Sequence, residues 1–126
     1  MAGCEPAAER RSIMQQATSI AELIRLLRHL GARPGLYICP VDVQNAQSFL
    51  GGVSFCVQVL TGPFSPEELG AAVVSRGWRV SSRPVAPPEQ WLESQMRQRG
   101  MSDAEIIAEL AEIDAITLQR RAGPAA

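Results

Sequence analysis

The chain has 126 residues and a formal net charge of −1, and its length favours a single domain. A hydrophobic fraction of 46% with 20% charged residues is typical of a globular protein, which excludes wholesale disorder and a fibrous repeat. The charge balance lacks the basic excess that nucleic-acid binding needs, and no apolar run reaches the ~20 residues that cross a bilayer. We therefore expect no nucleic-acid partner and no membrane association.

The ionisable side chains exclude several chemistries. All twelve positive side chains are arginines, and His29 is the only histidine. These counts exclude Schiff-base lysine chemistry, the lysine of a phosphate-binding loop and any site with two histidines. Cys4, Cys39 and Cys56 lack the spacing of a zinc site or a disulfide framework. We expect reduced thiols in a cytoplasmic protein, with no metal and no cofactor.

The first predicted element is a helix that opens at Ser19. Ser19 and Glu22 match a capping box, and apolar residues recur behind them at helical spacing. Gly31 suits the left-handed position that ends a helix. Residues 33–35 then predict a type II turn with a positive φ at Gly35, followed by a short extended run.

The segment from Asp42 to Leu60 fits two patterns. Asp42 is a typical N-cap, and apolar residues continue at helical spacing through Leu60. Residues 53–60 also alternate between apolar and polar, which is typical of a strand. We favour helix, with Gly51 and Gly52 as a site of close approach by another helix and Cys56 as a small core residue.

Three further helices have clear start signals. One begins at Ser65 and ends at Gly77, one begins near Pro88, and one begins at Ser102 with Glu105 closing a capping box. The predicted fold is mainly α, a compact bundle of four or five helices, with residues 53–60 as the one segment that could form a short strand. Residues 12–121 form the predicted domain, between a flexible N-terminus (1–11) and a flexible tail (122–126).

Two surfaces are candidates for protein contact. Glu105, Glu109 and Glu112 recur at helical spacing and predict an acidic, solvent-facing stripe for a basic partner. Arginine beside tryptophan is common at interface hot spots, which makes a second candidate of three residues: Trp78, Arg79 and Arg83. Each surface also has a purely structural interpretation. The glutamates could form a solvated helix face, and Trp78 could be a core anchor that the aliphatic stems of the arginines cover.

Enzymatic function has little support in the sequence. His29 is the only candidate imidazole base, and no nucleophile with an orienting partner stands at a recognisable spacing from it. The alternative to a protein-binding role is a small-molecule-binding protein or small enzyme with a pocket between helices near His29 and Cys39. A third hypothesis is a homodimer formed through the apolar residues of segment 43–60.

The residues that follow the first predicted helix contain a short sequence motif. Residues 33–38, Arg-Pro-Gly-Leu-Tyr-Ile, and the later Phe49-Leu50-Gly51 resemble a group of small bacterial proteins of uncharacterised or immunity type, over roughly residues 19–60. The resemblance implies a small non-catalytic cytoplasmic protein that neutralises a toxin. Our leading hypothesis is a non-catalytic protein-interaction module that masks a partner protein, in the manner of an immunity-type inhibitor.

Overall fold

The computed structural model describes residues 19–80 and 88–123, which contain five α-helices, one short 3₁₀ helix and no strand. The mainly helical prediction is confirmed. The helices are α1 (Ile20–Ala32), α2 (Val43–Thr61), α3 (Pro66–Ser75), α4 (Pro88–Gln98) and α5 (Asp103–Ala122), with the 3₁₀ turn (Pro34–Leu36) between α1 and α2.

Helix α5 is the centre of the bundle, and the other four helices pack against it. Its first turn is exposed, but no residue between Ile106 and Gln119 is fully exposed. A helix that is apolar on most of its circumference has to be covered on most sides. The α5 residues that are buried share small or branched side chains: Ile106, Ile107, Leu110, Ala111, Ile113, Ala115, Thr117 and Leu118.

Helices α1 and α5 approach one another closely at Gly31. A Cβ atom at Gly31 would lie 3.2 Å from the Cα atom of Ala108 and 3.6 Å from the Cβ atom of Ala111. Gly31 lies inside α1 and has no positive φ, so its predicted role as a left-handed cap is wrong. Glycine fits this position because the backbones of α1 and α5 meet here, and this constraint comes from tertiary packing.

Helix α2 runs unbroken across the ambiguous segment, so residues 53–60 are helical. The predicted helix contact at Gly51 and Gly52 is wrong, because both are exposed and no atom lies within 4 Å of a Cβ built on either. Cys56 is an exposed free thiol, and its predicted place in the core is also wrong. The helical phase explains these corrections: the face that buries Leu50 and Val57 turns these three residues outward.

The segment after α1 is a tight 3₁₀ turn, followed by bends. Gly35 is buried and has no positive φ, so the type II turn is wrong in detail, and Leu36 begins no extended strand. Tyr37 packs in the core as expected, 8% exposed, against the ring of Phe49. Helix α5 continues through Ala122 and ends at Gly123, whose φ is positive.

The two glycine environments predict opposite effects of adding a methyl group. Gly52→Ala gains helix propensity in open space, about 1 kcal/mol. Gly31→Ala gains the same propensity but presses on the backbone of Ala108, and overpacking costs about 1–3 kcal/mol. We expect Gly31→Ala to be less stable than Gly52→Ala by about 1–3 kcal/mol in urea unfolding. Equal stabilities would show that α1 and α5 separate easily.

Candidate functional site

The outer face of α2 is the most unusual surface in the described part of the chain. We define it as eight exposed residues, Gln44, Ser48, Gly51, Gly52, Phe55, Cys56, Val59 and Leu60. No residue from Val43 to Thr61 is charged. Phe55 and Val59 are each 67% exposed and Leu60 is 83% exposed. Exposed apolar groups clustered on a face without charges mark an interaction surface more often than scattered single ones do.

Both ends of α2 are held in place. At the start, the Asp42 carboxylate accepts a hydrogen bond of 2.7 Å from the Asn45 amide, as predicted for an N-cap. At the end, the Arg121 guanidinium donates to the carbonyl of Pro63 and to both carboxylate oxygens of Glu68. Arg121 also stacks on the Phe64 ring at 4.3 Å. These contacts join α2, α3 and α5, and they fix the orientation of the outer face.

A cleft lies beside this face, between α2 and α3. Both helices pack on α5 but make few contacts with one another, and they leave a cavity of about 180 Å³. Its polar groups are largely used internally: the Thr117 hydroxyl donates to the Ile113 carbonyl, and Gln58 bonds to Ser54. The rest of the lining comes from four helices and is apolar except for Asp114; its apolar members are Leu50, Leu69, Val73, Leu92, Leu110 and Ile113.

The three glutamates predicted as one acidic stripe have three different roles. Glu105 is exposed and closes the capping box, accepting from the Ser102 amide at 2.9 Å. Glu112 pairs with Arg28 of α1 at 3.2 Å. The Glu109 side chain is only 13% exposed. A continuous solvent-facing stripe is therefore wrong, because α5 lies in the centre of the bundle and its carboxylates meet arginines of the surrounding helices.

Glu109 joins α5 to the end of α3 through three hydrogen bonds. Both of its oxygens accept from the Arg76 guanidinium, at 2.7 and 2.8 Å, and one also accepts from the Trp78 indole at 2.9 Å. The hydrogen bonds from Arg76 hold the pKa of the Glu109 carboxyl below its usual value, against the opposing effect of burial. The predicted contact residue Glu109 thus belongs to a structural network.

The predicted tryptophan and arginine surface is divided in the same way. Trp78 is 5% exposed, which agrees with a core anchor, and the Arg99 guanidinium lies 4.0 Å from its ring centroid. Arg79 is exposed, and its backbone exchanges two hydrogen bonds with the Gln95 side chain. Arg83 lies outside the described residues. Of the two described residues of this predicted surface, only Arg79 is placed where a partner would reach it.

His29 and Cys39, the residues named for the alternative pocket, each have a bonded partner in the structure. His29 Nδ1 lies 2.7 Å from the Tyr37 hydroxyl, and the rings meet edge to face. Burial raises the pKa of Tyr37, which keeps its hydroxyl neutral as a hydrogen-bond partner. Cys39 is disulfide-bonded, so the expectation of reduced thiols is wrong for this residue. The described cavity lies elsewhere, between α2, α3 and α5.

Two further findings limit the candidate chemistry. Within residues 19–80 and 88–123, no three His, Cys, Asp or Glu side chains come together in a way that could hold a metal ion. Among the described helices, none combines the length and apolarity needed to cross a membrane. Comparisons with known proteins found no matching family model, no matching curated protein and no matching solved structure.

The Glu109 network predicts a pH-dependent loss of stability. Because its pKa is lowered in the folded state, Glu109 stabilises the fold above its unfolded pKa of about 4.3, and this contribution disappears as the pH falls through the folded pKa. Glu109→Gln should cost about 1.5–3 kcal/mol at pH 7, the range for hydrogen bonds to charged groups, and less at acidic pH. Chemical unfolding at several pH values measures the loss of stability at pH 7 and its decrease at acidic pH.

Glu112→Gln is the matched control for this prediction. Its ion pair with Arg28 is more exposed on both sides, and surface pairs contribute less than about 1 kcal/mol. Equal losses for the two variants at pH 7 would contradict a special role for Glu109.

Proposed function

We propose that this chain is a non-catalytic protein-binding module that uses the outer face of α2. The observation that carries the proposal is the exposure of Phe55, Val59 and Leu60 on a 19-residue helix without a single charge. Covering apolar surface is favourable by about 25 cal/mol per Å², so such a face gains free energy when a partner covers it. A partner with a matching apolar surface fits better than a charged one.

The chemistry of the face favours a protein as partner. Nucleic acids and anionic surfaces are bound through arginine and lysine, and the outer face has neither. Protein interfaces have cores that are depleted in charge and enriched in aromatic residues, as this face is around Phe55. Glu105 and Arg79 also stay exposed, but both lie outside α2.

An immunity-type inhibitor is our finer proposal within this class. It is supported by the resemblance carried by residues 33–38. The mechanism is steric: the chain covers a site on its partner, and no bond is made or broken. The cytoplasmic location stays a prediction from the sequence, and the disulfide at Cys39, a bond typical of oxidising compartments, counts against it.

Two matched valines test the protein-binding proposal. Val59 is 67% exposed on the outer face of α2, and Val74 is 61% exposed on α3. Tagged chains carrying Val59→Asp or Val74→Asp are compared with the wild type for other proteins that co-purify from the native cell extract. A charge buried at an interface without a partner is costly, so Val59→Asp should reduce specific capture at least about tenfold.

Val74→Asp should capture the same proteins as the wild type, because its surface lies outside the proposed face. Circular dichroism and thermal unfolding confirm that both variants fold. Unchanged capture by the folded Val59→Asp chain would contradict the proposal.

The cavity between α2 and α3 supports a second candidate function, the binding of a small apolar molecule. Its volume of about 180 Å³ is comparable to that of engineered apolar cavities that bind benzene, about 150 Å³. This candidate retains the predicted pocket between helices but moves it away from His29 and Cys39.

Benzene is the probe for this second candidate. We expect saturating benzene to raise the Tm of the wild type, because a ligand that binds only the folded state stabilises it. Leu69→Trp, at the edge of the cavity, should abolish the rise, and Val74→Trp should retain it because Val74 does not line the cavity. No rise in the wild type, or an equal rise in both variants, would contradict the candidate.

A further inference from the structure

We propose that the outer face of α2 pairs with the same face of a second copy of this chain, with the two helices antiparallel and a two-fold axis between residues 53 and 54. This inference rests on the broader proposal that the outer face of α2 binds a protein, and it names a second copy of this chain, in place of an inhibited target, as that protein. Three features of the face support it: the spacing of its central residues, the fit of large to small side chains, and its lack of charge.

The central residues of the face have the spacing of a helix-pairing seam. Ser48, Gly52, Phe55 and Val59 follow one another at intervals of four, three and four residues, and all four are exposed. This alternation of three and four residues is the one that keeps a stripe facing a second helix. A different set of residues forms the buried face of α2, so these four exposed residues are not needed for the fold of one chain.

The antiparallel arrangement brings each large residue opposite a small one. With the axis between residues 53 and 54, Phe55 of one chain faces Gly52 of the second copy, and Val59 faces Ser48. The space above Gly51 and Gly52 is open, with no atom within 4 Å of an added Cβ, so it can receive a phenyl ring. A parallel pair in register would instead put Phe55 against Phe55 and leave a void between the glycines.

The absence of charge makes the face compatible with itself. In a two-fold dimer the same surface patch of each copy faces the other, so a charge on the patch would face like charges across the axis. Helix α2 has no charged residue along its 19 positions, and the pair is free of this cost. A charged partner would find no complementary group on this face.

The size of the face sets the expected strength. A standard interface buries roughly 800 Å² per partner over about 20–30 residues, so eight residues correspond to about 300 Å². Interfaces of this size belong to weak, reversible complexes. We expect a dissociation constant between about 10 µM and 1 mM, with dimer detected by sedimentation equilibrium only in that concentration range.

Directed cross-linking tests the geometry. Two full-length chains, each with Cys56→Ser to remove the exposed thiol, carry either Ser48→Cys or Val59→Cys. In the antiparallel pair, residue 48 faces residue 59 of the second copy, whereas two copies of residue 48 lie roughly 16 Å apart along the axis, from eleven residues at about 1.5 Å each. A short bis-maleimide should therefore cross-link the mixture of both chains at least about tenfold more than either chain alone.

Each other outcome overturns the inference in its own way. Cross-linking of each chain with itself would mean a parallel pair, and no cross-linking with a monomer at 1 mM would mean that no second copy binds. A monomeric chain that still captures a different protein through Val59 would leave the proposed function intact and contradict only this inference. A chain that neither self-associates nor captures another protein through Val59 would contradict both this inference and the proposed function.

Discussion

The close packing of α1 on α5 at Gly31 is the constraint on which the rest of the structure depends. With no side chain at Gly31 and small residues at Ala108 and Ala111, the two helices approach to backbone distance. This approach buries one side of α5, and α2, α3 and α4 cover most of what remains. The central position of α5 then decides the environment of every charge that its sequence carries between Ile106 and Gln119.

The glutamates among these charged residues are engaged in contacts between helices. Glu109 is held by Arg76 and Trp78, and Glu112 pairs with Arg28, so two surrounding helices are tied to α5 through carboxylates. Arg121 does the same at the other end by joining the termini of α2 and α3. Buried or half-buried charges need such partners because desolvation without them is costly. Of the glutamates that suggested a recognition surface, Glu109 and Glu112 therefore serve mainly to position helices.

The surface that we propose for recognition is the uncharged one. Within the described part of the chain, the outer face of α2 takes no part in the core and carries no charge, and the contacts of Asp42 and Arg121 at the helix ends hold it in a fixed orientation. A rigid apolar face loses little conformational freedom when a partner covers it. The same face that the sequence made ambiguous between helix and strand is, in the folded chain, the one best suited to binding.

The sequence by itself determined the helices and their starts, because capping residues at Asp42, Ser65 and Ser102 act on neighbours only three positions away. It also determined the mainly helical class and the apolar stretch from Val43 to Leu60. Only the tertiary structure decided which faces are covered. Gly31 sits at a helix crossing and Gly51 in open space, Cys56 points outward, and Glu109 is nearly buried. Local patterns cannot distinguish these cases, because the partners of each residue lie far away in the chain and arrive only when the helices pack.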